Sequence, residues 1–198
     1  MNKERVAQFI SDLETSRRSR GDFIYMCSWQ FKGGGSVCRD IREFHSCGNK
    51  ACAGGFLALT EQFQDAGGSV AEFGTPSMTS TEYFGTITGS LAFAEFFGIN
   101  LAVSRAITED MCGEEQSSDF TFFNDASAQQ LQRRFCEHVG EAWGLWDVDH
   151  LINLMSAILT GKVETTVHVP SHIDADTPNE ELGDAYGVDW VYDHEVEA

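Results

Sequence analysis

Apolar residues in the first twenty positions recur at helical spacing. Val6, Phe9, Ile10 and Leu13 fall at i, i+3, i+4 and i+7, which predicts an amphipathic helix over residues 3 to 18. Arg17, Arg18 and Arg20 follow, where cations complement the negative end of a helix dipole. Residues 22 to 31 are aromatic and apolar without a clear period, so they read as a buried extended segment or short strand. Gly33-Gly34-Gly35-Ser36 then breaks the chain as a loop. With no Lys-Ser/Thr after it, this run does not match a phosphate-binding P-loop.

A second helix is predicted from Asn49 as N-cap, with Cys52, Phe56, Leu59 and Phe63 on one face and Gly67-Gly68 as its stop. Residues 69 to 85 read as a long Ser/Thr/Gly-rich loop with room for one strand. A short buried helix is predicted over 91 to 97, ending at Gly98, with another over 101 to 107 and a surface loop over 111 to 119. Residues 126 to 142 place Leu131, Phe135, Val139 and Ala142 on one face behind Asp125 as N-cap. Asp147 caps a last helix carrying Val148, Leu151, Ile152, Met155, Ile158 and Leu159, which stops at Gly161. The short link at 143 to 146 makes these two an antiparallel pair. The expected fold is mainly α, open to α+β with a few short strands. It is one compact domain of five or six helices over residues 1 to 162.

Composition changes this picture at the C-terminal end. Residues 163 to 198 hold ten of the chain's 31 acidic residues and none of its 13 basic ones. This segment reads as an acidic arm anchored through aromatics, with Tyr186, Trp190, Tyr192, Asp189 and Asp193 as its candidate binding residues. The whole chain carries a formal charge of −18, which disfavours direct binding to nucleic-acid phosphates. That charge allows a host protein with a basic surface, a small ligand, or mimicry of nucleic acid itself. With 42% hydrophobic and 12% aromatic residues, global disorder is excluded. The polar start lacks the apolar region of a secretory leader, and no apolar run has membrane-spanning length. A cytoplasmic protein with reduced cysteines and no membrane partner is therefore expected.

The most distinctive local pattern is Cys47-Gly48-Asn49-Lys50-Ala51-Cys52-Ala53-Gly54-Gly55, preceded by Met26 and Trp29. It resembles a family of small uncharacterised phage and bacterial proteins built on a Met-x-x-Trp segment followed by Cys-Gly-Thr-x-Ala-Cys-x-x-Gly. Segments similar to Phe97-Gly98-Ile99 and to the helix over 126 to 139 extend the resemblance to about half the chain. Asn49 replaces the family's Thr, and both residues are good N-caps. The resemblance implies a viral setting and no particular reaction.

Three readings of the motif stay open. In the first it is structural, its small residues allowing a close backbone approach and Cys52 packing as a small hydrophobe. In the second, His45, Cys47 and Cys52, joined by Cys38 or Cys27, bind zinc. In the third, Cys47 is a nucleophile activated by a helix N-terminus, with His45 as its base. His168 and His172, with Asp174 or Asp176, form a further possible metal pair on a loop. The function expected is that of a non-enzymatic binding protein without a cofactor, a phage accessory protein in a host-takeover or anti-defence role. The alternatives are an acidic nucleic-acid mimic and a thiol- or zinc-dependent enzyme.

Overall fold

Asn2 begins the first helix by accepting the Arg5 amide at 3.1 Å, and α1 (Lys3–Arg20) then runs to Gly21, whose φ of 73° ends it. Its buried stripe is Val6, Phe9, Leu13 and Ser16. The computed structural model describes residues 1–25, 29–31, 37–81, 83–108, 125–140 and 146–165, apart from the side chains at 31, 47, 125–127 and 129. Within these residues the chain is mainly helical, with two small antiparallel sheets.

After α1 the chain makes β1 (Gln30–Phe31), α2 (Ile41–Cys47), β2 (Lys50–Ala51), α3 (Ala53–Leu57) and α4 (Glu61–Asp65). Asp40 caps α2 by accepting the Arg42 and Glu43 amides at 2.8 and 2.9 Å, and Gly48 closes it in a left-handed conformation. β1 pairs antiparallel with β2, and Ile24 bridges Ala51 in parallel, so extended chain is present at Ile24 and at Gln30–Phe31.

The helix predicted from Asn49 is therefore corrected. Asn49 is buried and does not cap: its side-chain amide nitrogen donates to Cys38 Sγ at 3.3 Å, and its backbone carbonyl accepts from Arg20 at 2.7 Å. Lys50 and Ala51 are taken into the sheet, Cys52 becomes the N-cap of α3, and Thr60 starts a separate α4. Cys52, Phe56, Leu59 and Phe63 are nonetheless all buried. Their pattern reported burial correctly and continuity wrongly.

The loop expected over 69 to 85 is likewise corrected. It holds β3 (Ser69–Val70) and β4 (Pro76–Ser80), and with β5 (Gly85–Thr88) these form an antiparallel meander in the order β3-β4-β5. Beyond it lie α5 (Gly89–Phe97), α6 (Leu101–Thr108), α7 (Asp125–Val139) and α8 (Val148–Leu159). Gly98 ends α5 in the left-handed region, and Asp147 and His150 form a capping box at the start of α8. α7 packs on α6 and α8, and α8 returns to pack on α1. The predicted loop at 111 to 119 and the acidic arm beyond residue 165 lie outside the described residues.

A chain of fully buried phenylalanines forms the centre. Phe23, Phe44 and Phe56 make one group, with ring centroids 4.8 to 6.0 Å apart. Phe93, Phe97, Phe96 and Phe63 make another, spaced 4.7 to 5.2 Å. Phe9 of α1 joins the two, lying 5.9 Å from Phe56, 6.1 Å from Phe93 and 5.4 Å from Phe97. Asp22 ties distant parts of the chain around this centre. One of its oxygens accepts the Ile24 and Val148 amides, each at 3.1 Å, while the other meets Lys50 at 3.3 Å.

The glycines of the Cys-Gly motif serve this packing. A Cβ at Gly55 would fall on the carbonyl oxygen of Trp29, and one at Gly54 would fall on the Trp29 indole. Gly89, at φ 63°, also lies against that indole. Trp29 thus fits over α3 only because two successive helical positions lack a side chain.

Candidate functional site

Three helices leave an open cleft of about 420 Å³ on one side of this core. α1 contributes Gln8, Asp12, Thr15 and Ser16; α2 contributes Ile41 and His45. The far wall is Thr60 with Glu61, Gln62 and Asp65 of α4. The volume falls within the usual range for small-ligand pockets, although this lining is more polar than most. Among the described residues no Lys or Arg lines it, so the formal charge they bring comes from three carboxylates.

Local helix geometry sets each group. Gln8, Asp12 and Ser16 stand four residues apart on α1, so they form one row along the helix. Gln8 donates to one oxygen of Asp12 at 2.9 Å, and Gln62 reaches across from α4 to donate to the other at 3.2 Å. Ser16 Oγ and His45 Nε2 lie 2.9 Å apart and join α1 to α2. Two groups in the cleft have displaced protonation equilibria. Burial raises the Asp12 carboxyl above its ordinary 3.8, the Glu61 charge adds to this, and the glutamine bonds oppose it. Burial lowers the His45 imidazole below its ordinary 6.5, aided by the positive charge of Arg20. Displaced equilibria concentrated in one cleft mark it as a functional candidate.

The raised Asp12 equilibrium predicts a stability effect. The native carboxyl holds its proton more readily than the unfolded one, so its favourable contribution is present below the unfolded value and lost as pH rises through the native value. At neutral pH the ionised group is a burden. Asp12→Asn is expected to raise Tm at pH 7 by about 1–3 °C, allowing for solvent screening, with the gain shrinking toward pH 4. A fall in Tm at pH 7 would show that the glutamine bonds outweigh desolvation.

Among the described residues His45 is the one sequence-derived candidate that lines the cleft, and Ser16 is its hydrogen-bond partner there. Cys47 is the last residue of α2, at the negative end of that helix dipole, so the proposed N-terminal activation of its thiol has no basis. The side chain of Cys47 and all of Cys27 lie outside the described residues. Cys52 Sγ accepts the Gly55 amide at 3.4 Å as the N-cap of α3, and Cys38 Sγ accepts from Asn49. Among the described residues no three His, Cys, Asp or Glu side chains are grouped to hold a metal ion. Tyr186, Asp189, Trp190, Tyr192 and Asp193 of the arm, with His168 and His172, lie outside the described residues.

Ser16 and His45 form a hydroxyl–imidazole pair, but Ser16 is 1% exposed and sits inside α1, where its backbone follows the helix ladder. The pair reads as a strut between helices rather than a nucleophile and base. Sequence reasoning missed Asp12 and Ser16. The visible signal was Ser16, a polar residue continuing the stripe Val6, Phe9 and Leu13.

Among the described residues no single helix is long and apolar enough to cross a membrane. Comparison of the chain with protein families, curated proteins and solved structures returns no match.

Proposed function

We propose that this chain is a non-enzymatic binding protein, a phage accessory protein that engages a host component, and that the cleft between α1, α2 and α4 receives a cationic group of its partner. One observation carries this reading: three carboxylates, two glutamines, three hydroxyls and a half-buried histidine converge in one cleft, with no Lys or Arg among the described residues that line it. That lining is rich in acceptors. A ligand with many donors and a positive charge, such as a lysine or arginine side chain, satisfies it best. The overall charge of −18 and the acidic composition beyond residue 162 would draw a basic partner toward it from a distance. The viral setting rests on the Cys-Gly motif.

The test uses the isotope-labelled protein and a matched pair of probes at pH 7.5. N-acetyl-arginine amide is expected to shift the side-chain amides of Gln8 and Gln62 and the ring of His45, while its neutral isostere N-acetyl-citrulline amide leaves them unmoved. Glu61→Gln with Asp65→Asn should weaken the arginine probe about tenfold or more. Equal responses to the two probes, or shifts elsewhere on the surface, would reject the cleft as a cation site.

A further inference from the structure

We infer that the cleft is an acid-operated release site, which holds its cation at neutral pH and lets it go on mild acidification, because Asp12 and His45 face one cavity and change charge in the same sense. This inference rests on the cation reading above and adds a mode of regulation to it.

Both groups line the same cavity. Asp12 stands on α1 between Gln8 and Gln62, and His45 stands on α2 against Ser16, one helical turn further along α1. From α4, Glu61 and Asp65 line the same cavity, and Glu61 acts on Asp12 through space. From α1, Arg20 is the cation that acts on His45, while its own guanidinium is held at the Asn49 carbonyl and over the Phe44 ring, 4.2 Å from the centroid. A cation entering the cleft therefore feels the charges of Asp12, His45, Glu61 and Asp65, which all line it.

The sign follows from the two displacements. Lowered by burial and Arg20, His45 is uncharged at neutral pH and gains a positive charge only on acidification. Raised by burial, Asp12 gives up its negative charge at a higher pH than an ordinary carboxylate. Acidification thus removes two units of attraction from one small volume, one by adding a positive charge and one by deleting a negative charge. Each unit at this range is worth about tenfold in affinity, so complete titration of both groups is worth on the order of a hundredfold. By linkage, binding the cation releases protons, and affinity rises with pH.

The experiment measures the affinity of N-acetyl-arginine amide from pH 7.5 to pH 5 on the intact chain and on His45→Gln and Asp12→Asn, with folding checked by circular dichroism at each pH. Glutamine can keep a hydrogen bond to Ser16, and asparagine keeps an acceptor for one of the two glutamines. The expected result is a wild-type loss of about tenfold or more by pH 5, with the fall in log affinity clearly flattened in His45→Gln. Asp12→Asn should start weaker at pH 7.5 and also lose part of its slope. Binding at pH 7.5 that persists unchanged to pH 5 would overturn the release site and leave the cation reading standing. Absence of binding at pH 7.5 would overturn both.

Discussion

Gly55→Ala is expected to cost about 3 kcal/mol or more, or to prevent folding altogether, although alanine is the better helix former by about 1 kcal/mol. The two effects have opposite signs, so the experiment separates them. Gly55 lies in α3, and its new Cβ would fall on the carbonyl oxygen of Trp29. A backbone oxygen cannot rotate away as a side chain does. The next residue, Gln30, pairs with Ala51 in the β1–β2 sheet, and Gln30 also exchanges two side-chain hydrogen bonds with the Cys38 backbone, at 2.9 and 3.1 Å. Gly48→Ala is the control, since its added methyl meets nothing within 4 Å and bears only the left-handed φ of 71°. That penalty is about 1–2 kcal/mol. Urea unfolding measures both, and a Gly55→Ala variant as stable as the wild type would mean that Trp29 does not lie over α3.

Phe9→Ala should destabilise by about 3–5 kcal/mol, a large part of the 5–15 kcal/mol that holds a typical domain folded. Phe9 is fully buried and is the ring that joins the Phe23–Phe44–Phe56 group to the Phe93–Phe96–Phe97–Phe63 group. Its loss leaves a cavity between α1, α3 and α5 that none of these helices can close without moving the other two. Phe9→Leu should cost distinctly less, because most of the volume is kept. Phe84→Ala is the surface reference. Phe84 is 95% exposed, and its replacement should fall within about 0.5 kcal/mol of the wild type. Thermal and denaturant melts decide the order, and equal shifts for Phe9 and Phe84 would contradict the aromatic centre.

Legibility in the sequence followed the length and periodicity of each element. α1, α5, α7 and α8 were readable because each repeats its buried face over two or more turns, and Asp147 and Gly98 mark their boundaries where expected. α2 was missed: its seven residues bury little beyond Phe44, too few positions to show a period. The β3–β4–β5 meander was hidden because its strands are two to five residues long and rich in Ser and Thr, a composition shared with loops. Burial of Cys52, Phe56, Leu59 and Phe63 was foreseen, but Gly54, Gly55 and the pull of β1 on Lys50 and Ala51 divide what a continuous helix would have joined.

The cleft was the least legible feature, since residues 12, 45 and 61 meet only through tertiary packing. His45 was found for its proximity to cysteines, whereas the contact it makes is with a serine 29 residues earlier.

The bond between Asp22 and the Val148 amide spans 126 positions, and Arg17 of α1 adds a 2.7 Å ion pair to Asp149 of α8. This closure has a consequence in time. A ribosome adds roughly 5–20 residues per second, so α1 emerges on the order of ten seconds before the helix that covers one of its sides. Until then its apolar stripe has only part of its final partner surface, and the nascent chain must be held from aggregation by its charge or by a chaperone. Contacts of such long range also slow the final search, because the loop they close must be ordered before they form.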